Sequence, residues 1–389
     1  MGTTFTTLAI QVIVVETLDA GATGTGLVSG ARWLPYLLFG LVAGVLVDRV
    51  RRRPLLVVAD LLRGVLLLAV PLLALTGLLS VALLMVLMAV FGLMSLLGDA
   101  AAQSILPRLV PASALTRANA RLDQSDAVAQ TSGPALAGGL IALVGAPLAV
   151  LVDAISYLGS ALLLARVRLA EPPTRRGSWR AVVPEALEGL RWVYRHRVIA
   201  PYAIATHAWF LCFSAAGAVL APFALTTLGL GAFRFGVALA VGGVGALVGS
   251  LVAVRLGLRF GVGRVVIVSI AVTAGAWAVT ALSGGPGWSA WVVLSLGQLT
   301  LGVSMGVSNA NELGYRQAVT PDALQGRSNA TMRSINRAMI VVGAPLGGIV
   351  ADAIGFRPVL WTAAGGFVVV ALVLLVSPYR SARMEDALP

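Results

Sequence analysis

The chain has 389 residues, of which 58% are hydrophobic and 11% are charged, and its formal net charge is +12. A soluble protein carries about a quarter charged residues, so this composition excludes an ordinary soluble domain and predicts a membrane protein. All 28 basic residues are arginine, mostly in short loops beside apolar segments, which favours a role in topology over nucleic-acid binding. The single cysteine, Cys212, and the two histidines offer no spacing for a disulfide, a metal site or a catalytic centre.

Twelve apolar segments follow one another along the chain, most of them near the roughly 20 residues that a helix needs to cross a bilayer. We predict membrane-spanning helices at 3–17, 25–47, 55–75, 78–103, 120–143, 146–166, 201–227, 235–257, 264–282, 288–312, 328–352 and 356–377. Segments rich in glycine and proline, such as 283–287, separate them. The predicted fold is therefore all-α and integral to the membrane.

The first predicted span, 3–17, is shorter than the others, and no basic segment precedes it. One interpretation is that Met1 is an internal start and that the first helix is truncated. The other is a short helix that the bilayer accommodates by tilt or local thinning. A signal peptide is excluded, because the segment has neither a basic n-region nor a cleavage site.

The connection between the second and third spans is short and basic. It has the pattern G-x-L-x-D-R-x-x-R-R-x-x-L, formed by Gly44, Leu46, Asp48, Arg49, Arg52, Arg53 and Leu56. This pattern resembles the loop 2–3 signature of the major facilitator superfamily, although Arg51 replaces the usual second glycine. The resemblance implies a secondary transporter in which two halves rock around a central site.

The resemblance also implies that this loop latches the cytoplasmic side of the transporter. The predicted latch consists of Gly44, Asp48, Arg49, Arg52, Arg53 and Asp99. Gly44 would allow close helix approach, and Asp48 would accept hydrogen bonds from the N-terminus of span 11. Arg49 or Arg52 would pair with Asp99. The alternative is that the arginines only anchor the topology.

Span 5 contains a proline among small residues. The segment 132–139 resembles the antiporter motif of drug–proton exchangers, with Ala137 in place of one glycine, through Gly133, Pro134, Gly138 and Gly139. Pro134 can kink the helix, and the small residues would let span 11, whose segment 343–348 repeats the motif, pack against span 5. The alternative is an ordinary contact between helices. The chain is most similar to the branch that includes macrolide and siderophore exporters.

A long polar connection, residues 168–199, divides the chain into two six-span halves, 1–167 and 200–389. The pattern from Val183 to Tyr194 predicts an amphipathic helix at the membrane surface. A shift of 210 residues aligns Pro111 with Pro321, Arg117 with Arg327, Asn119 with Asn329, Gly133 with Gly343 and Gly138 with Gly348. This repeat predicts two parallel six-helix halves related by an axis along the membrane normal.

Arginine is distributed unequally between the two sides of this topology. Twenty-two arginines lie in the even-numbered connections, the C-terminal tail and the span ends beside them, whereas only Arg234 and Arg357 lie on the opposite side. Positive residues accumulate on the cytoplasmic side of membrane proteins. We therefore predict a multi-pass protein of the plasma membrane with both termini in the cytoplasm.

Ionisable side chains inside spans are costly, so their presence suggests a function. Asp126, Asp153 and Glu312 are the candidates for proton coupling, because a buried carboxylate can take up and release a proton. A neighbouring helix could equally neutralise each of them.

Helical spacing predicts two ion pairs within spans, Asp60 with Arg63 and Glu312 with Arg316. Arg32 lies inside span 2 without an obvious partner. Aromatic residues of the spans could line an apolar cavity: Trp33, Tyr36, Trp209, Phe210, Phe213, Trp277 and Trp291. Of these, Trp33 and Trp291 lie near predicted span ends, where an interfacial belt is favoured.

We predict a monomeric secondary transporter that exports amphipathic small molecules in exchange for protons. The sequence predicts no enzymatic activity, no cofactor and no nucleic-acid partner, and it contains no nucleotide-binding loop of the P-loop type. One alternative is a nutrient importer on the same fold. Another is a membrane receptor or scaffold that transports nothing.

Overall fold

The computed structural model describes residues 2–109, 111, 114–167, 182–285 and 287–387. Throughout these residues the regular secondary structure is helical. The first half contains six helices, with a π-helical turn at Ile13–Thr17 after the first of them: α1 (Gly2–Val12), α2 (Gly21–Asp48), α3 (Arg52–Leu75), α4 (Val81–Leu109), α5 (Leu115–Val144) and α6 (Ala146–Arg166).

A separate helix, α7 (Val182–Arg195), precedes the second half and confirms the amphipathic helix predicted from Val183 to Tyr194. The second half has a π-helical turn at Phe223–Thr227 and six helices: α8 (Ile199–Pro222), α9 (Gly231–Phe260), α10 (Val262–Leu282), α11 (Trp288–Val319), α12 (Asp322–Ile354) and α13 (Phe356–Val376). Two short 3₁₀ turns, Pro378–Ser381 and Met384–Ala387, follow.

Ten helices of the described part are long and apolar enough to cross a membrane, namely α3 to α6 and α8 to α13. The apolar helix Thr4–Thr17 is shorter. The prediction of a multi-pass helical membrane protein is thus confirmed, and the count of twelve spans stays a prediction. We call the end of the bundle with the α2–α3 connection the arginine-rich end, and the opposite end the arginine-poor end.

Left-handed glycines terminate several of these helices. Gly145 (φ 83°) ends α5 and Gly355 (φ 96°) ends α12. Glycine adopts this backbone conformation without steric cost, and Pro147 then occupies the first turn of α6, where its missing N–H is not needed. Because Gly145 and Gly355 are 210 residues apart, the sequence repeat is also a repeat of helix boundaries.

The contacts between the halves repeat in the same register. Helix α5 packs on α9, and α2 packs on α12. A Cβ added to Gly236 would overlap the carbonyl oxygen of Pro134, and a Cβ added to Gly26 would overlap that of Ala344. A distance of 210 residues separates Gly26 from Gly236 and Pro134 from Ala344, so one close backbone contact is made twice.

The prediction that span 5 packs against span 11, with the two copies of the motif facing each other, is wrong. Gly138 of α5 lies against Ala232 of α9, and Gly348 of α12 lies against Ala22 of α2. The physical reason is the pseudo-twofold relation of the halves. It exchanges α5 with α12 and α2 with α9. The two copies of the motif therefore occupy equivalent places in two different interfaces, the first between α5 and α9 and the second between α12 and α2.

Candidate functional site

A large cavity lies between the halves. Two adjoining spaces of about 690 Å³ and 700 Å³ share the lining residues Gln11, Ser29, Trp33, Gln130 and Arg337. The walls come from α1, α2, α4 and α5 in the first half and from α8, α10, α11 and α12 in the second. The volume of each space lies in the range of small-molecule sites, roughly 300–1,000 Å³.

The halves meet closely at the arginine-poor end of this cavity. The Gly26–Ala344 and Gly236–Pro134 contacts both lie there. The carboxylate of Asp352 also accepts hydrogen bonds from the first turn of α2, at 3.2 Å from the N–H of Ala22 and 2.9 Å from that of Thr23. Such a carboxylate satisfies the free N–H groups of a helix start. The cavity is therefore closed at this end and extends towards the arginine-rich end.

One wall of the cavity is aromatic. On α8, Trp209 stacks on Phe213 with ring centroids 4.6 Å apart, and Phe210 lies beside them. Trp277 is fully buried behind Phe213. Trp33 lines the opposite wall, so its prediction as an interfacial residue is wrong. Helix α2 begins at Gly21, which places Trp33 about 18 Å along the helix at ~1.5 Å per residue.

Asp153 on α6 is fully buried. The hydroxyl of Thr6, on α1, donates a hydrogen bond to its Oδ2, whereas its Oδ1 has no hydrogen-bond partner. Ionising a carboxyl group in such a place is costly, because one oxygen is neither solvated nor bonded. Asp153 is not among the described residues that line the cavity.

Asp126 and Glu312 do line the cavity, from α5 and α11 respectively. The predicted pair of Glu312 with Arg316 is confirmed at 3.2 Å.

The predicted pair of Asp60 with Arg63 is confirmed at 3.1 Å. This second pair lies in the first half and is part of its packing.

The Asp60–Arg63 pair connects three helices. The hydroxyl of Ser160, on α6, donates to Asp60 at 2.6 Å, and Arg63 donates to the carbonyl oxygen of Met94, on α4, at 2.7 Å. Apart from the Nε of Arg63, which is buried without a hydrogen-bond partner, the polar atoms of this ion pair are bonded, as a buried pair requires. The pair therefore has a structural role among α3, α4 and α6.

The residues of the predicted latch are only partly described. Of Gly44 and Asp48 the structure describes only the helical backbone. Arg53 donates to the carbonyl oxygens of Leu164 (3.2 Å) and Ala165 at the end of α6. Asp99 is exposed and accepts a hydrogen bond from the Tyr36 hydroxyl at 2.8 Å. The pairing of Arg49 or Arg52 with Asp99, and the latch as a whole, stay predictions.

The residues of the antiporter motif lie at helix contacts. A Cβ on Gly133 would touch Thr4 of α1, and a Cβ on Gly139 would touch Phe233 of α9. Together with Pro134 and Gly138, they bring α5 close to both helices. Their role in the direction of transport stays a prediction.

The sequence predicts Arg32 inside span 2 and Arg337 inside span 11, but it does not predict that the two side chains meet. The guanidinium of Arg337 lies 4.1 Å from the Trp33 ring centroid, and that of Arg32 lies 5.8 Å from the same centroid. The cost of charge inside a membrane marks arginines in spans as functional candidates. Their convergence on one indole ring depends on the packing of α2 against α12, which the sequence did not reveal.

A second network missed by the sequence connects α7 to the cavity. The hydroxyl of Tyr194 lies 2.6 Å from Nε2 of His207, and Nδ1 of that histidine lies 2.7 Å from Oδ1 of Asn336. Because an amide oxygen only accepts, Nδ1 carries the hydrogen and Nε2 accepts from the tyrosine. Asn336 lines the cavity, so the chain runs from α7 through α8 to the site.

Helix α7 also binds the start of α12. Arg327 forms ion pairs with Glu185, at 3.5 Å, and with Glu188. A Cβ on Gly189 would overlap the backbone of Arg327, so the two helices are in close contact. The helix between the halves is thereby attached to the second half.

Comparison with known proteins identifies a family. The family model MFS_3, described as a transmembrane secretion effector, matches residues 1–389. An uncharacterised MFS-type transporter, y4rN of Sinorhizobium fredii, is 28% identical over 270 residues, which are 67% of this chain and 63% of the relative. The multidrug efflux pump Tap of Mycobacterium tuberculosis is 32% identical over 191 residues, 46% of this chain and 45% of Tap. The matches thus span less than two thirds of each relative's length.

Solved structures show the same fold. A mutant of the nucleoside transporter NupG superposes with a TM-score of 0.75 at 14% identity, covering 96% of this chain and 95% of NupG. A bacterial homologue of the iron transporter ferroportin, in an inward-facing state, superposes with a TM-score of 0.72 at 20% identity, covering 96% of both chains. At such identities the likeness concerns the fold alone.

Proposed function

The chain belongs to the MFS_3 family of transmembrane secretion effectors, and on that premise we propose that it exports amphipathic small molecules through the plasma membrane in exchange for protons. The observation that carries this proposal is the cavity between the halves, which is closed at the arginine-poor end by two equivalent backbone contacts. The similarity to the Tap efflux pump supports the direction of transport.

This arrangement supports a mechanism of alternating access. If the arginine-rich end faces the cytoplasm, as the arginine distribution favours, the cavity is accessible from the cytoplasm in this state. Rocking of the two halves would separate the contacts at Gly26 and Gly236 and would open the site to the outside.

The cavity suits a substrate with an apolar body and polar substituents. Trp209, Phe210 and Phe213 supply an aromatic surface, and polar side chains such as Thr206 and Asn309 line the same cavity. Pockets that combine apolar walls with a few polar groups bind small organic molecules.

For the proton pathway we propose Asp153, Asp126 and Glu312. Asp153 combines complete burial with an unbonded oxygen, so a change in its protonation alters the contact between α6 and α1. Asp126 and Glu312 line the cavity and can exchange protons with the water in it. We place the coupling role first on Asp153.

Dye accumulation in cells tests the proposal. Cells that make the chain are compared with empty-vector cells for an anionic and a cationic amphipathic dye, with and without a protonophore. Export predicts lower accumulation of at least one dye and its recovery when the protonophore is added. Higher accumulation than in empty-vector cells would favour an importer. Equal accumulation of both dyes would contradict export.

The Asp48→Asn variant tests the latch in the same assay. If Asp48 holds the two halves together at the arginine-rich end between transport cycles, the variant loses export although the amount of protein in the membrane is unchanged. Export equal to that of the unaltered chain would contradict the latch.

A further inference from the structure

The central cavity carries an excess of positive charge. Its described lining contains four arginines and two carboxylates: Arg32, Arg316, Arg333, Arg337, Asp126 and Glu312. Because Glu312 pairs with Arg316 at 3.2 Å, the excess lies at the other three arginines. In the interior of a membrane protein, such charges are costly unless something neutralises them.

Arg32 and Arg337 form the centre of this positive region. Their guanidinium groups lie within 6 Å of the centroid of the same ring, that of Trp33. Arg32 donates to the Thr7 hydroxyl at 2.8 Å and also lies near Phe91. The Nε of Arg337 is buried and has no hydrogen-bond partner. Two like charges therefore share one aromatic ring.

The carboxylates of the described residues do not neutralise these two arginines directly. No carboxylate oxygen of the described chain lies within 4 Å of Arg32 or Arg337. Asp99 contributes to the electrostatic field at both arginines and Asp153 to that at Arg32, but Asp99 receives its hydrogen bond from Tyr36 and Asp153 from Thr6. Asp126 lines the same cavity and is exposed there.

An anion in the cavity would remove this electrostatic cost. A guanidinium stacked on an indole keeps its planar fork of N–H donors for a carboxylate, sulfonate or phosphate. Resting on the proposed export function, we propose that the substrate is an amphipathic anion whose acidic group binds between Arg32 and Arg337. Its apolar body lies against Trp209, Phe210 and Phe213.

Binding of two dyes that share a ring system but differ in charge tests this inference. The purified chain is titrated with fluorescein, an anion, and with tetramethylrhodamine methyl ester, a cation, while fluorescence anisotropy is followed. Fluorescein is expected to bind about tenfold more tightly or better, because hydrogen bonds to charged groups contribute about 1.5–3 kcal/mol each.

Four variants identify the residues that cause the preference for fluorescein over the cation. Arg337→Gln and Arg32→Gln are each expected to reduce the preference for fluorescein about tenfold, whereas Arg337→Lys retains part of it because it keeps the charge. Arg234→Gln is the matched control, since Arg234 lies over Trp288 at the arginine-poor end, away from the cavity lining. Arg337→Lys also separates loss of charge from loss of folding.

Three outcomes would overturn the inference: equal or tighter binding of the cation, no binding of fluorescein, or a preference unchanged in both glutamine variants. Transport in proteoliposomes under a pH gradient distinguishes a failure of this inference from a failure of the proposed export function on which it rests. Binding of fluorescein without movement of either dye would support the inference and contradict export. Movement of the cation alone would contradict the inference and support export.

Discussion

At the scale of single residues, Asp153 is the most deeply buried carboxyl group of the described part of the chain. It is buried between α6 and α1, it accepts one hydrogen bond from Thr6, and its second oxygen has no partner. A carboxylate that changed its charge here would change the electrostatics of the first half. This makes Asp153 the first position at which proton coupling can be tested.

We expect Asp153→Asn to abolish protonophore-sensitive dye export without reducing the amount of folded protein. Asparagine keeps an oxygen that accepts from Thr6 but cannot ionise. The measurement is dye accumulation at matched membrane protein levels. Asp19→Asn is the control, because Asp19 is exposed and its left-handed backbone (φ 47°) suits asparagine. Protonophore-sensitive export that persists in Asp153→Asn would exclude Asp153 and leave Asp126 and Glu312.

A second residue-scale prediction concerns His196, which lies between α7 and α8. Its Nδ1 accepts hydrogen bonds from the N–H groups of Val198 and Ile199, at 3.2 and 3.1 Å. Burial lowers the pKa of His196 below its ordinary value of 6.5. The folded state thus favours the neutral ring, so its stabilising contribution is complete above pH 6.5 and is lost as the pH falls through the lowered pKa.

Hydrogen exchange of the Val198 and Ile199 amides measures this effect. Protection of these amides is expected to fall on acidification, because a protonated Nδ1 can no longer accept. In His196→Ala, protection should be low at neutral pH and should not fall further. If the protection of these amides in the unaltered chain did not depend on pH, this would contradict the role of His196 as their hydrogen-bond acceptor.

Sequence reasoning found residue pairs where helical spacing alone determines the contact. Asp60 with Arg63 and Glu312 with Arg316 are such pairs. It could not find the meeting of Arg32 and Arg337 at Trp33, because α2 and α12 are distant in sequence and only their packing brings these residues together. The hydrogen bonds of His207 were missed for the same reason.

At the scale of the helices, apolar length predicted most boundaries well. The predicted span 146–166 coincides with α6, which is apolar almost from end to end. The start of α12 was predicted at residue 328, whereas the helix begins at Asp322. Its first turns are polar, and residues such as Ser328 are covered by protein rather than lipid. An apolar pattern cannot show a helix start of this kind.

The paired glycines of the interface give an element-scale prediction. We expect Gly236→Ala and Gly26→Ala each to lower the thermal midpoint of the purified chain, because the added Cβ would overlap a carbonyl oxygen. Such overpacking costs about 1–3 kcal/mol. The two variants should have similar effects, since the two contacts are equivalent in the repeat.

Gly275→Ala serves as the control, because a Cβ there meets nothing within 4 Å. Its midpoint should stay the same or rise, since alanine favours the helix over glycine. Midpoints of Gly236→Ala and Gly26→Ala no lower than that of Gly275→Ala would contradict the close contact of the halves.

At the scale of the whole molecule, the repeat explains how one cavity can open to either side of the membrane. The π-helical turns at Ile13–Thr17 and Phe223–Thr227, the glycine contacts and three pairs of left-handed glycines recur after 210 residues, the pairs being Gly21 with Gly231, Gly77 with Gly287 and Gly145 with Gly355. Two equivalent interfaces allow the halves to pivot about the site without breaking the packing within either half. The sequence predicted the equivalence of the halves, but contacts between equivalent helices were wrongly inferred from it.

The arginine-rich and arginine-poor ends should therefore move in opposite senses. Labels at Arg51 and Arg259, both exposed, report the distance between the halves at the arginine-rich end. Labels at Leu78 and Leu282, also exposed, report it at the arginine-poor end. Replacing the single cysteine, Cys212, with alanine provides the background for specific labelling.

Pulsed electron paramagnetic resonance in lipid, at neutral and acidic pH, measures this pair of distances and is the most direct test of rocking. Rocking around the cavity predicts that the distance at the arginine-rich end shortens in the same population in which the distance at the arginine-poor end lengthens. Two distances that change in the same sense, or that both stay constant under conditions in which dye is transported, would contradict it.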